Sequence, residues 1–182
     1  LPIWQKFKKS GKKVGCVTTV PITHATPAGF CVSSKSRGEQ AEIAEKYLQL
    51  RFDVMMGGGS KYFDGRKDNR DMYTEYTNAG FTVVRSKSEM KGAKNSKPIL
   101  GVFEKEGLPF ELDRVNDEIL FNKVPSLAEM AQQAIDWMKD HTQGFCLQIE
   151  GGKVDWAAHA NDAQARAVHL GTEWKVPRRS AQ

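Results

Sequence analysis

Long apolar runs and paired cysteines are both missing from this chain of 182 residues. No apolar stretch approaches the roughly 20 residues that a membrane-spanning helix needs, so no membrane span is predicted. The three cysteines, Cys16, Cys31 and Cys146, are odd in number and form no C-x-x-C pair. Neither a zinc knuckle nor a disulfide framework is therefore indicated. A charged-then-apolar leader is also absent after Leu1, so we expect no signal peptide within this sequence.

Positive charge is in modest excess, with 27 Lys and Arg against 22 Asp and Glu, for a formal net charge of +5. No alternation of aromatic and basic residues accompanies this excess, so a nucleic-acid partner is not predicted. Solvated helix faces, with some attraction of anionic substrates, explain the basic balance better. A hydrophobic content of 40% is ordinary for a globular protein with a buried core.

Helix and strand patterns alternate along the chain, and glycine and polar stretches separate them. The polar stretch 87–97 is predicted to be a loop. The glycine triplet 57–59 is predicted to be a structural turn, because no G-K-[ST] follows it. Together the alternating elements predict an α/β fold, with helices around a largely parallel sheet and one incomplete domain over residues 1–182. Predicted strands are 14–20, 52–56, 81–84, 99–103 and 145–149, and predicted helices are 2–9, 39–51, 69–79 and 125–139.

The segment 150–162, EGGKVDWAAHAND, has a pattern that suits a metal site. Asp155 and His159 stand four residues apart, so on a helix they share one face. A carboxylate oxygen and an imidazole nitrogen form a ligand pair that zinc accepts readily. Glu150 ends a predicted strand, and the following glycines turn the chain into the helix. An Asp–His pair on an exposed helix is more often merely solvated, so this pattern alone is weak.

A second segment strengthens the prediction of a metal site. Residues 14–27, VGCVTTVPITHATP, also read as a β-branched strand that ends in residues with ligand capacity, His24 and Thr26. Open α/β sheets build their sites at the carboxyl ends of the strands. Two such strand ends therefore predict one shared site.

In order and spacing, these segments resemble the alkaline phosphatase family. The resemblance extends through LPIWQKFKKSGKKVGCVTT, THATPAGF, FDVMMGGGSKYF, PSLAEMAQQAIDWM and FCLQIEGGKVDWAAHAND. It implies a phosphate monoester hydrolase with zinc and magnesium as cofactors. It also implies a periplasmic or secreted location and a possible homodimer. In this family a serine attacks the phosphate ester, two zinc ions stabilise the attacking and leaving oxygens, and magnesium lies behind them.

The resemblance also assigns individual residues. Thr26 and Glu150 match the magnesium ligands, and Asp155 and His159 match two ligands of one zinc. We therefore expect Thr26 and Glu150 on adjacent strand ends, close enough to share one hard cation.

His24 and Trp156 match positions beside the metals, from which they would tune the magnesium and the bound phosphate. A turn histidine and a packed indole without any such role remain the alternative interpretation for these two residues.

Several family features are absent. No Asp-Ser dipeptide, the expected nucleophile motif, occurs in the sequence, so no catalytic residue is assigned. The upstream aspartate, the downstream Asp-His pair and a further histidine are also missing. Asp140-His141 superficially resembles that pair but precedes Glu150, and we interpret it as a surface turn. Residues 171–182 do not resemble the family and are predicted to be a divergent or disordered tail. We expect this chain alone to carry half of the ligands and to be inactive.

Two further hypotheses stay open at this point. The chain could be a non-catalytic protein or fragment that binds metal or phosphate. It could also belong to a related hydrolase of the same superfamily, such as a sulfatase or phosphomutase, although the THATP and EGGKVDWAAHAND segments argue against this.

Overall fold

A parallel sheet forms the centre of the computed structural model, which describes residues 1–165 and residue 167. In this part of the chain the sheet has five strands in the order β3-β4-β2-β1-β5, and each neighbouring pair is parallel. The predicted sheet is confirmed. The predicted tail, 171–182, lies outside the described residues. The strands are β1 (Lys13–Pro21), β2 (Val54–Gly58), β3 (Thr82–Val84), β4 (Ile99–Val102) and β5 (Phe145–Glu150).

Helices connect the strands and cover both faces of the sheet, as crossover connections between parallel strands require. None of the described helices is both long and apolar enough to cross a membrane. The helices are α1 (Ile3–Lys9), α2 (Ala25–Cys31), α3 (Gln40–Leu50), α4 (Met72–Asn78), α5 (Lys87–Gly92), α6 (Glu111–Asn116), α7 (Glu118–Lys123), α8 (Leu127–Met138) and α9 (Gly152–His159).

Two apolar clusters, one on each face of the sheet, hold the helices in place. Successive strand residues point to opposite faces, so Met55 belongs to one cluster and Met56 to the other. Helices α3 and α4 pack on the first face through side chains such as Tyr47 and Tyr76. Helix α8 packs on the second face through Met130 and its neighbours. Because both faces are covered, the strands read as nearly continuous apolar runs.

The prediction of a loop over 87–97 is wrong in its first half, where the structure has helix α5. The side chain of Ser86 accepts a hydrogen bond from the backbone N–H of Glu89, which caps the helix. Met90 is buried against the second cluster and anchors the turn. A short helix with one apolar anchor gives too little periodicity to predict from its composition.

The glycine triplet also differs from expectation, because β2 extends through Gly57 and Gly58 instead of ending before them. A side chain at Gly58 would collide with the backbone carbonyl of Glu106. Gly59 adopts a positive φ of 98°, which favours glycine. Its N–H donates to the carbonyl oxygens of Glu104 (2.9 Å) and Glu106 (2.7 Å). The triplet thus lets the loop after β4 lie directly on β2, a structural role.

Helix α8 begins with a capping box, in which Ser126 and Glu129 each accept a hydrogen bond from the other's backbone N–H. Lys87 and Lys91 each lie 3.0 Å from the Glu129 carboxylate. Burial alone would raise the pKa of Glu129, but the Ser126 N–H and the two ammonium groups outweigh it and lower this pKa below its ordinary value.

Substituting Glu129→Gln should therefore destabilise the chain in a pH-dependent way. A carboxyl whose pKa is lowered on folding stabilises the fold above its unfolded value of 4.5, and the contribution is lost as pH falls through the folded pKa. We expect urea unfolding near neutral pH to show a loss of about 1 kcal/mol. At about pH 3 the difference from wild type should shrink towards zero. The exposed Glu118, substituted in the same way, is the control; an equal loss at both pH values would contradict the prediction.

Candidate metal-binding site

Strands β1 and β5 run side by side, and their pairing brings Thr18 opposite Glu150. Thr18 is fully buried, and its hydroxyl donates a 2.6 Å hydrogen bond to Oε2 of Glu150. Within residues 1–165, no hydrogen bond reaches the other carboxylate oxygen. Glu150 is therefore held at the carboxyl edge of the sheet, with one oxygen available to a ligand.

Helix α9 starts at the same edge and is fastened to β1. A side chain at Gly152 would come within 2.6 Å of the Val20 side chain, so glycine allows the helix to begin this close to the strand. The backbone N–H of Lys153 donates to Oγ1 of Thr19 over 3.0 Å. These two contacts set the direction in which the helix leaves the sheet.

Asp155 and His159 lie on one face of α9, as their spacing predicts. Nε2 of His159 and Oδ1 of Asp155 are 3.5 Å apart. Their side chains are 68% and 81% exposed, for Asp155 and His159 respectively. The pair therefore places one oxygen and one nitrogen at the exposed surface of the described residues.

His24 connects this helix to the segment after β1. It stands at the N-cap of α2, and its ring meets the indole of Trp156 edge-on at 6.0 Å between centroids. The guanidinium of Arg37 donates to Nε2 of His24 over 3.4 Å. Burial lowers the pKa of His24 and Arg37 lowers it further, while the charges of Glu150 and Asp155 oppose both effects. His24 thus contacts Trp156 and lies within the electrostatic influence of Glu150 and Asp155.

Thr26 is placed differently from the prediction. Strand β1 ends at Pro21, and Thr26 lies exposed in the first turn of α2, so the expectation of a strand-end threonine is wrong. The chain leaves the sheet early because the N–H of His24 turns back to the carbonyl of Pro21 over 2.8 Å. The hydroxyl that donates a hydrogen bond to Glu150 is that of Thr18. No hydrogen bond joins Glu150 to Thr26 in the described part of the chain.

Sequence reasoning missed four residues of this region: Thr18, Thr19, Arg37 and Lys153. The two threonines were hidden within an apolar strand. Arg37 lies in a polar stretch without periodicity, and Lys153 carries no pattern that marks it. The two threonines bind Glu150 and Lys153, which lie 132 and 134 residues away in sequence, so no local signal marks them either.

Asp140-His141, interpreted as a surface turn, lies at the opposite edge of the sheet. The His141 side chain donates from Nε2 to the carbonyl oxygen of Gly11, at 2.7 Å, just before β1 begins. It therefore takes no part in the site at the carboxyl edge.

Among residues 1–165 and 167, no three His, Cys, Asp or Glu side chains converge in a cluster that could hold a metal ion. The described residues therefore do not form a closed coordination shell by themselves.

Comparisons with known proteins identify the family of this chain. A family model described as alkaline phosphatase matches residues 2–171. Alkaline phosphatase 4 of Bacillus subtilis is 38% identical over 166 residues, and alkaline phosphatase 3 of the same bacterium is 39% identical over 166 residues. Each alignment covers 88% of this chain and 34% of the relative, so the chain spans about a third of the length of these proteins.

Solved structures of the family have the same fold. The alkaline phosphatase of Thermus thermophilus superposes with a TM-score of 0.83 at 41% identity, over 90% of this chain and 34% of that one. The enzyme of the Antarctic bacterium TAB5 gives 0.81 at 26% identity, over 92% of this chain and 47% of that one. The fold, the sequence match and the order of the segments agree, and the chain belongs to the alkaline phosphatase family.

Proposed function

We propose that this chain contributes metal ligands to a phosphomonoesterase active site. It carries two zinc ligands and part of a magnesium site. The observation that supports this most directly is the Asp155–His159 pair on one face of α9, the helix whose Trp156 contacts His24. The family match favours a phosphatase over a sulfatase or phosphomutase.

The Asp155–His159 pair fits zinc in both chemistry and spacing. Ligand atoms at about 2.0–2.1 Å from a tetrahedral zinc lie about 3.3 Å from each other. The 3.5 Å separation of Oδ1 and Nε2 is close to this value without any rearrangement. Zinc would supply Lewis-acid charge to a phosphate ester. Because catalytic zinc usually has three protein ligands, we propose that the third lies outside this chain.

Glu150 fits the magnesium role, because magnesium prefers oxygen ligands and keeps several waters. A solved mutant of the TAB5 alkaline phosphatase has magnesium bound in its M3 site. We propose that Glu150 contributes its free carboxylate oxygen to the equivalent site here. Thr26, in the first turn of α2, is the proposed second protein ligand of this site.

Arg37 is a candidate phosphate-binding group. It is exposed, and within residues 1–165 no carboxylate lies at salt-bridge distance from it. A guanidinium matches the oxygens of a phosphate group in a bidentate arrangement. His24 holds one of its nitrogens, which would keep the remaining donors directed towards a phosphate monoester substrate.

The wider expectations follow from family membership. We propose that the protein to which this segment corresponds acts outside the cytoplasm, in the periplasm or as a secreted enzyme, and that it forms a homodimer.

A chimera tests the proposed function. Residues 2–171 would replace the matching segment of B. subtilis alkaline phosphatase 4, which supplies the parts that this chain lacks. We expect the chimera to hydrolyse 4-nitrophenyl phosphate with zinc and magnesium present, and the 182-residue chain alone to give no turnover above buffer.

Calorimetry adds a test that is independent of activity. The chain alone should bind zinc weakly, and His159→Ala should remove this binding while His141→Ala leaves it unchanged. Tight binding that survives His159→Ala, or turnover by the chain alone, would contradict the proposal. A folded but inactive chimera that still binds inorganic phosphate would favour the non-catalytic alternative.

A further inference from the structure

Lys153 is a buried cation held between two aromatic rings. Its residue is 8% exposed, and its Nζ lies 3.9 Å from the ring centroid of Phe110 and 4.6 Å from that of Trp156. Phe110 precedes α6, whereas Trp156 follows Lys153 by one helical turn on α9. The ammonium therefore bridges helix α9 and the segment that precedes α6.

The charge of Lys153 is not used by the metal ligands. Within the part of the chain that the structure describes, its ammonium makes neither a salt bridge nor a hydrogen bond. Burial lowers the pKa of Lys153, and Asp113 on α6 is the carboxylate that opposes this effect. The contact with the Phe110 ring places the ammonium against the segment that precedes α6.

The segment 103–110, here named the β4–α6 loop, lies on the end of β1 next to these rings. The N–H of Leu108 donates to the carbonyl of Thr19 over 2.9 Å. A side chain at Gly107 would come within 3.1 Å of both the Thr19 carbonyl oxygen and the Trp156 ring. The backbone N–H of Lys153 binds the hydroxyl of the same Thr19. The loop, β1 and α9 therefore meet at one point.

We infer that Lys153 is a positioning residue whose ammonium clamps the β4–α6 loop to helix α9 and fixes the indole of Trp156 against His24. A cation between two rings is attracted by both faces, and the attraction strengthens when water is excluded. The clamp itself does not depend on the proposed function; only its consequence for His24 does. It adds no ligand to the metals and acts through the placement of Trp156.

The test compares Lys153→Met with Lys153→Arg in the 182-residue chain. Methionine keeps an apolar stem of similar length but removes the charge, and arginine keeps the charge over the rings. Hydrogen exchange at the Leu108 amide reports loop docking, and the Phe103 amide, which donates to the carbonyl of Gly57, is the internal reference. We expect Lys153→Met to accelerate exchange at Leu108 about tenfold relative to Phe103, and Lys153→Arg to restore it.

An independent measurement uses the wild-type lysine, so that it does not depend on the folding of a variant. Successive fluorination of the Trp156 ring weakens its attraction for a cation with little change in shape. Exchange at Leu108 should then rise stepwise with the number of fluorines. Exchange that is unchanged in Lys153→Met, or that does not respond to fluorination, would show that the lysine acts only through its stem and would overturn the inference.

Discussion

In the chimera with B. subtilis alkaline phosphatase 4, Asp155→Ala is expected to lower kcat/KM for a phosphate monoester at least about 100-fold. Groups that only support a metal ligand typically cost about 10- to 100-fold when they are changed. A direct ligand should cost at least the upper end of this range. The loss should appear in kcat at saturating zinc, because a neighbouring histidine alone cannot hold the ion in the right geometry.

The chain offers a matched control at its opposite edge. Asp140→Ala changes an exposed aspartate next to a histidine, with the same loss of charge, and should leave kcat/KM within about twofold of the parent chimera. Zinc content and circular dichroism of each variant separate loss of metal from loss of fold. Equal activity of Asp155→Ala and the parent would remove Asp155 from the site and would count against the proposed zinc pair.

Gly58→Ala is expected to destabilise the chain by about 3 kcal/mol, at the upper end of the usual cost of overpacking. The added methyl group would overlap the carbonyl of Glu106, which belongs to the backbone and cannot rotate away. Moving that carbonyl also weakens its hydrogen bond with the N–H of Gly59. The free energy of unfolding, measured by urea titration, should fall without a change in the slope of the transition.

Gly29→Ala is the matched control with the opposite sign. Gly29 lies inside helix α2, and a methyl group there would meet no atom within 4 Å. Alanine is favoured over glycine in a helix by about 1 kcal/mol, so this variant should be slightly more stable than wild type. A destabilisation of Gly58→Ala below that of an ordinary surface substitution would show that the β4–α6 loop yields easily.

Local patterns predicted most of the fold because strands β1, β2 and β4 bury apolar runs and each long helix has one apolar face. The pattern over 125–139 matched α8 closely, since Ser126 and Glu129 mark its start. The order of strands could not be predicted in the same way, because it depends on pairings between segments distant in the chain. The short polar helix α5 was missed because a single buried residue, Met90, anchors it.

For the candidate site, too, sequence reasoning predicted residues on one helix and missed residues whose partners are distant in the chain. Asp155 and His159 were found because both stand on one helix, and a fixed spacing expresses their proximity. Thr18 was missed because its partner Glu150 is 132 residues away in sequence. Thr26 was misplaced for a related reason: a ligand-like residue after a strand does not reveal where the strand ends.

The placement of β5 beside β1 has a consequence for synthesis on the ribosome. Strands β1 to β4 can pair with one another while the chain is still growing, but β1 keeps one side of its ladder open until β5 emerges. Long-range parallel pairing is slow, and unpaired strand edges expose a nascent chain to association. The carboxyl edge that gathers the candidate ligands is therefore completed late, after Glu150 has left the exit tunnel and β5 has paired. Premature termination before that residue would leave a four-stranded sheet with an open β1, and the Thr18 hydroxyl would lose Glu150 as its acceptor.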